Sequence, residues 1–217
     1  STYNQVEYGI YTNKDYGNVR GLELKMDYGI NNLFIQTNYT YQFTRGNADN
    51  PAQTFNRQGA SIDEVIRFIP MSWDQRHTFN LSAGYNTQKF GISATGYYNS
   101  GTPYTFSPQG ESNLALLNLY PNNDYKPSNY HADLSAYINL PKIFGFSPKI
   151  DLLVYNLTDR YNEYGVSSET GRAYSAVVNE TELLSHRSNF NNYEDRYKDP
   201  SSFSAPRQIK VGLTVQF

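Results

Sequence analysis

The feature that most constrains this chain is a strict period-two alternation of apolar and polar residues that recurs along its length. "VRGLELKMDY" sets Leu22, Leu24, Met26 and Tyr28 against Glu23, Lys25 and Asp27, and "LFIQTNYTYQF" sets Leu33, Ile35, Tyr39, Tyr41 and Phe43 against Gln36, Asn38, Thr40 and Gln42. The same division returns in "HTFNLSAGY" (Phe79, Leu81, Ala83, Tyr85), "FGISATGYY" (Phe90, Ile92, Ala94, Tyr98) and "HADLSAYINL" (Ala132, Leu134, Ala136, Ile138, Leu140). "KIDLLVYNL" and the closing "RQIKVGLTVQF" complete a set of seven segments. Successive side chains of an extended strand point to opposite faces, so alternation of this kind specifies strands with one apolar and one polar face. Helices need a 3.6-residue period, and this pattern excludes one in those segments.

The connections are as regular as the strands. Short links ("GINN", "NTQK", "PKIFGFSP") alternate with long polar stretches at Thr44 to about Ser72, Gly101 to about Asn129, and Thr158 to Ala205. An all-β, antiparallel meander with all its short turns at one end follows. Two architectures share such a pattern: a soluble sandwich, and a transmembrane barrel with tight periplasmic turns and long extracellular loops. Amides, hydroxyls and carboxylates fill the polar side of strand after strand, which suits a wet or plugged lumen. Rings at strand ends (Tyr28, Tyr39, Tyr41, Phe43, Tyr85, Phe90, Tyr98) suit headgroup-level girdles. Aromatics reach 16% of the residues although hydrophobic residues total only 38%, a pairing foreign to disordered chains. The alternation of link lengths sends the last strand toward the periplasm, with Phe217 at that rim. Seven strands would then start the chain outside the cell, so a segment of a larger barrel is expected rather than a closed one.

Charge and composition exclude other classes. A net charge of -2 gives no basic footprint for nucleic acid, and the absence of cysteine removes disulfides and thiolate metal sites. No apolar run is long enough for a transmembrane helix, a test that barrel strands of about 9–11 residues escape.

Several segments, in order, resemble the C-terminal part of the β-barrel of TonB-dependent outer-membrane receptors. "YTNKDYGNVRGLEL" is similar to a family turn and strand, carried by Asn13, Gly21 and Glu23, with Asp15 where the family has a loop glycine. "NYTYQFTRG" matches the strand that follows. "WDQRHTFNLSAGY" resembles the entry to a late strand at Arg76 and His77, and "YYNSGTPYT" a Ser-Gly-x-Pro-Tyr loop start. "DLLVYNLTDRYNEYGVSSETGRAY" is similar to an Asn-Leu-Phe-Asp segment, with Thr158 at the Phe position, followed by Thr-Gly-Arg. "APRQIKVGLTVQF" resembles the closing strand. The resemblance covers nearly all of residues 1–217 and implies one segment, about seven or eight strands, of a roughly 22-stranded barrel around a plug. The plug and the N-terminal strands would lie outside this chain.

That family implies energy-coupled uptake of a scarce ligand (siderophore, vitamin, glycan or peptide) across a bacterial outer membrane. It implies as partners the lipid, the rest of the barrel and its plug, TonB through the N-terminal region, a surface lipoprotein, and the barrel-assembly machinery. That machinery would read the final strand at Ile209, Val211, Leu213, Val215 and Phe217. The insertion between Gly171 and Pro206 is similar to receptors of Bacteroidota. The alternative is a small self-contained barrel acting as a pore or adhesin-like structure.

Candidate ligand contacts are aromatics and arginines near loop bases: Arg67, Trp73, Tyr104, Phe106 and Arg172, which offer stacking and charge. No catalytic residue, metal site or cofactor is assigned. His131 and Asp133 share a strand face, as a dyad would, but read more simply as a lumen-lining pair; His77 reads as a rim anchor, and no role is given to His186. The acidic runs "NETELLSH" and "EDRYKD" lack calcium-loop spacing and read as solvated charge. Sequons at Asn38, Asn80 and Asn156 fall in or at the end of strands and, like that at Asn179, are discounted. "SIDEVIRFIP" carries the one helical signature: a capping-box pair at Ser61 and Glu64, apolar residues at Ile62, Val65, Ile66 and Ile69, and Pro70 as a stop.

Overall fold

A computed structural model describes residues 13, 15–50, 52–54, 56, 65, 67–107, 120–174 and 200–216. Each alternating segment is a strand of one antiparallel sheet. In chain order the strands are β1 Gly17–Ile30, β2 Leu33–Gly46, β3 Ile69–Pro70, β4 His77–Asn86, β5 Phe90–Asn99, β6 Pro103–Tyr104, β7 Asp124–Tyr125, β8 Asn129–Asn139, β9 Ser147–Tyr155 and β10 Gln208–Gln216. The seven long strands stand in the order β1-β2-β4-β5-β8-β9-β10, each beside the next long strand in sequence. Two-residue β3 adds to the end of β2, and β6 pairs β7 as a separate ribbon.

Register carries the alternation across the whole sheet. Leu24 faces Tyr39, Tyr39 faces Phe79, Phe79 faces Tyr98 and Tyr98 faces Tyr130, so the even positions of β1 meet the odd positions of β2 and so on. Farther along, Ile35, Ala83, Ala94, Leu134, Val154 and Ile209 form one continuous row. One face is therefore apolar over all seven long strands and the other polar. The short turns tie neighbours tightly: Asn31, between β1 and β2, takes the left-handed conformation (φ 49°) that Asn tolerates.

The sheet is open. β1 and β10 are its edges and do not pair with each other, and every residue of β1 and β10 is exposed. A sandwich would bury its apolar face beneath a second layer. Here, among the described residues, Val154 is the only strand aliphatic in the long strands that is buried, whereas Leu213 is 69% and Val211 74% exposed. Burial concentrates instead at the long-loop end, where Met71, Asp74, Asn156 and Asn162 are the most enclosed side chains.

One expectation is corrected. Half of the helical signature at 61–70 lies outside the described residues; in the other half Val65, Arg67 and Phe68 are not helical and the end is strand, with Ile69 paired to Gly46 and Pro70 to Arg45. Non-local pairing with the free end of the 14-residue β2 overrides the local periodicity there.

Candidate ligand-facing surfaces

The polar face forms a trough of about 530 Å3. Two cross-strand rows line it. Lys25, Asn38, Asn80, Tyr97 and His131 stand opposite one another in register, and Asp27, Gln36, Ser82, Thr95 and Asp133 form the adjacent row. Each row member is there because it is two residues from the next polar position of its strand, so the alternation itself puts it on this face. Polar contacts run both within a row and between the two. Asn80 Nδ2 donates to Asn38 Oδ1 at 2.7 Å, Lys25 Nζ lies 3.2 Å from Asp27 Oδ2, and His131 Nε2 lies 2.7 Å from Asp133 Oδ1. Tyr97 stacks on His131 with centroids 5.9 Å apart, and the Asn156 N–H donates to Asp133 Oδ1 at 2.9 Å. Amide, hydroxyl, carboxylate and ring groups in such density can hydrogen-bond and stack on a polar solute. His131 and Asp133 do meet, as their spacing predicts.

Toward the short-turn end the polar face closes over glycines. Phe34 lies against Gly84, where any Cβ would come within 2.5 Å of its ring, and the Tyr137 ring covers Gly91. Rings over cross-strand glycines shield backbone that has no side chain of its own.

The loop bases are stiffened by buried polar hubs. Asp74 accepts from the Thr44 N–H at 2.7 Å, from the Tyr125 hydroxyl at 3.2 Å and from Arg76 Nε at 3.2 Å. Arg76 also lies over the Phe43 ring at 4.4 Å. Burial pushes the Tyr125 phenol up; the Arg76 charge opposes that rise, and the charge and hydrogen bond of Asp74 add to it. Buried Asn162 accepts from the Tyr130 N–H at 3.1 Å and donates to the Tyr130 carbonyl at 2.8 Å. Asn156, in the left-handed region (φ 52°), donates to the carbonyls of Arg160 and Ala205 at 2.9 Å each.

Three of the five expected ligand contacts come together. The Tyr104 and Phe106 rings meet edge to face at 6.4 Å, and Tyr104 abuts Gly171, next to Arg172. Arg172 grips Glu163 through both Nε and Nη2, with Nε 2.9 Å from Oε1, and the Ala173 N–H donates to Oε2 at 2.6 Å. Burial opposes the Glu163 charge, but those donors outweigh it and hold the carboxyl below its ordinary range. Tyr104 donates to Asp124 at 3.3 Å, and burial followed by the Asp124 charge raises its phenol. Arg67 lies apart, 5.5 Å over the Tyr120 ring, and Trp73 is half exposed. Ile209, Val211, Leu213 and Val215 fall on the apolar face of β10; Phe217, His186, Asn179, Ser61 and Glu64 lie outside the described residues.

Alternation puts each trough residue on the polar side of its own strand, but the rows exist only through register, which no single segment carries. Asp74 was missed altogether; its sole local signal is a carboxylate beside Arg76. Among the described residues, no cluster of His, Cys, Asp and Glu is arranged to hold a metal ion. Comparisons of the chain with protein families, with curated proteins and with solved structures find no match.

Proposed function

We propose that this chain is part of the wall of a bacterial outer-membrane transporter of the TonB-dependent kind, its apolar face on lipid and its polar trough toward the lumen. The observation that carries the membrane reading is the uncovered apolar face, continuous in register over seven strands. Lipid satisfies such a face where water does not. Rings lie toward its two ends. Tyr39, Phe79, Tyr98 and Tyr130 form one cross-strand row, and Tyr85 and Phe90 lie 6.0 Å apart near the short turns. Tyr98 and Phe90 bound a span of about 27 Å along β5. A barrel tilt of about 40° reduces that to about 21 Å across the bilayer, near the usual apolar height.

The unpaired edges at β1 and β10 favour a larger barrel over closure within these residues. Uptake, rather than passive conduction, rests on the ordered motif set alone. Gly21 and Gly101, two members of it, have physical reasons to lack a side chain: a Cβ on Gly21 would meet the Tyr41 carbonyl, and one on Gly101 the Lys126 backbone.

The test is cellular. The native protein should sediment with outer membranes, resist extraction by carbonate and high salt, and support ligand uptake that stops when TonB is deleted. Recovery in the soluble periplasmic fraction refutes the membrane reading. Uptake unchanged without TonB refutes the energy-coupled reading and leaves the pore.

A further inference from the structure

The turn between β8 and β9 breaks the pattern set by the other short turns. Those end in Asn31-Asn32 and in Thr87-Gln88-Lys89, whereas this one ends in Ile143-Phe144-Gly145-Phe146. Ile143 and Phe146 bond to each other in both directions, N to O at 2.9 and 3.0 Å, closing a two-residue tip. Phe144 and Gly145 occupy that tip with φ 49° and 87°. Gly145 suits it; a bulky side chain in the left-handed region does not, and Asn would serve at lower cost. Phe144 is also 96% exposed, with Ile143 at 52% and Phe146 at 47%. The chain thus keeps its most water-exposed large apolar side chain, among those described, where the backbone least favours it.

The surroundings identify what that side chain meets. Phe146 is in period with Pro148, Ile150, Leu152 and Val154, so the tip prolongs the apolar face beyond the last ladder pair. From Asp133 to Asp151 the intervening residues hold Lys142 and Lys149 and no carboxylate. Lys89 lies on the adjoining turn, its carbonyl accepting from the Asn139 N–H at 2.7 Å. Lys149 is neutralised by Asp151 at 2.7 Å, which leaves Lys89 and Lys142 as the net charge of this rim. Exposed aromatic and aliphatic side chains flanked by lysines fit the headgroup layer of an anionic bilayer, where rings enter the acyl boundary and ammonium groups meet phosphates.

We infer that the Ile143–Phe146 tip is an interfacial anchor seated in anionic phospholipid headgroups at the short-turn rim. The inference rests on the membrane reading above. It is tested with the protein reconstituted in phosphatidylethanolamine–phosphatidylglycerol vesicles, by relocating its single tryptophan. In a Trp73→Phe background, Phe144→Trp reports the tip and Leu213→Trp reports the apolar face. Fluorescence of the Phe144→Trp protein should be blue-shifted and quenched more by lipid brominated near the headgroup end of the acyl chain than by lipid brominated deeper. The Leu213→Trp protein should be quenched more by the deeper label. Water-like, unquenched emission from the tip reporter beside a quenched face reporter overturns the anchor and leaves the membrane reading standing. Both unquenched overturn the membrane reading and the anchor with it. A second variant separates anchoring from turn geometry: Phe144→Asn suits the left-handed tip better, yet should shift unfolding in these vesicles about tenfold toward the unfolded state, from lost burial of the ring. A neutral or stabilising result means the ring serves nothing in lipid and overturns the anchor.

Discussion

Replacing Val211 by arginine separates a lipid-covered face from a water-covered one. Val211 is 74% exposed, lies near the middle of β10, and faces Leu152 on β9. As an ordinary solvent-exposed position it would accept arginine with a change within about 0.5 kcal/mol. If lipid covers it, a guanidinium near the bilayer midplane costs about 2–4 kcal/mol. At about 1.4 kcal/mol per tenfold, the folding equilibrium falls roughly 30- to 700-fold. Thr214 is the internal control: it is exposed, three residues away, and on the polar face opposite Lys149. Thr214→Arg should change stability by less than about 1 kcal/mol, because polar-face charge is already tolerated at Lys210 and Lys149. The assay is urea unfolding of the protein in phospholipid vesicles, followed by tryptophan fluorescence, with the two variants compared under one protocol. Equal, small effects of both substitutions would refute the assignment of the faces, and a larger effect of Thr214→Arg would invert it.

The remaining predictions concern the loops and their bases. Asp74→Ala strands the buried Thr44 N–H and Arg76, and should lower stability by about 3–5 kcal/mol in urea unfolding; Asp74→Asn, which keeps an acceptor but loses the charge, should cost less. Gly101→Ala drives a methyl group into the Lys126 backbone and should destabilise by about 1–3 kcal/mol, whereas alanine at Gly165, with open space around it, should change the melting temperature little. The pH dependence of the Glu163–Arg172 clasp follows from its sign. A carboxyl whose folded value is depressed stabilises the fold above its unfolded value of about 4.5, and that contribution is lost as pH falls through the depressed value. Protection of the Ala173 amide from exchange, corrected for the intrinsic rate, should therefore be steady from pH 8 to 5 and decline below about pH 4.5. Glu163→Gln should weaken that protection at neutral pH and flatten its pH profile. Protection in the native protein that persists unchanged to pH 2 would contradict the clasp.

Sequence alone determined the strands and their faces. Leu22, Leu24 and Met26 opposite Glu23, Lys25 and Asp27 identify an extended segment and its two sides without any partner, because side-chain direction in a strand depends only on the parity of the position. The short links likewise determined three neighbour pairs, β1–β2, β4–β5 and β8–β9, since two antiparallel strands joined by a few residues have nowhere else to pair; the pairs joined by long links, β2–β4, β5–β8 and β9–β10, came only with the sheet. What only the tertiary structure decided is everything that depends on register. Lys25, Asn38, Asn80, Tyr97 and His131 are scattered over more than a hundred residues and become one row because five strands align at those positions. Asp74 becomes a hub because Thr44 and Tyr125 arrive from other segments. Ile69 leaves a helical period for a bridge to Gly46 because the far end of β2 offers free hydrogen-bonding groups. A residue's parity is written in its own segment; its partners are set by hydrogen bonds between segments that no local stretch of sequence contains.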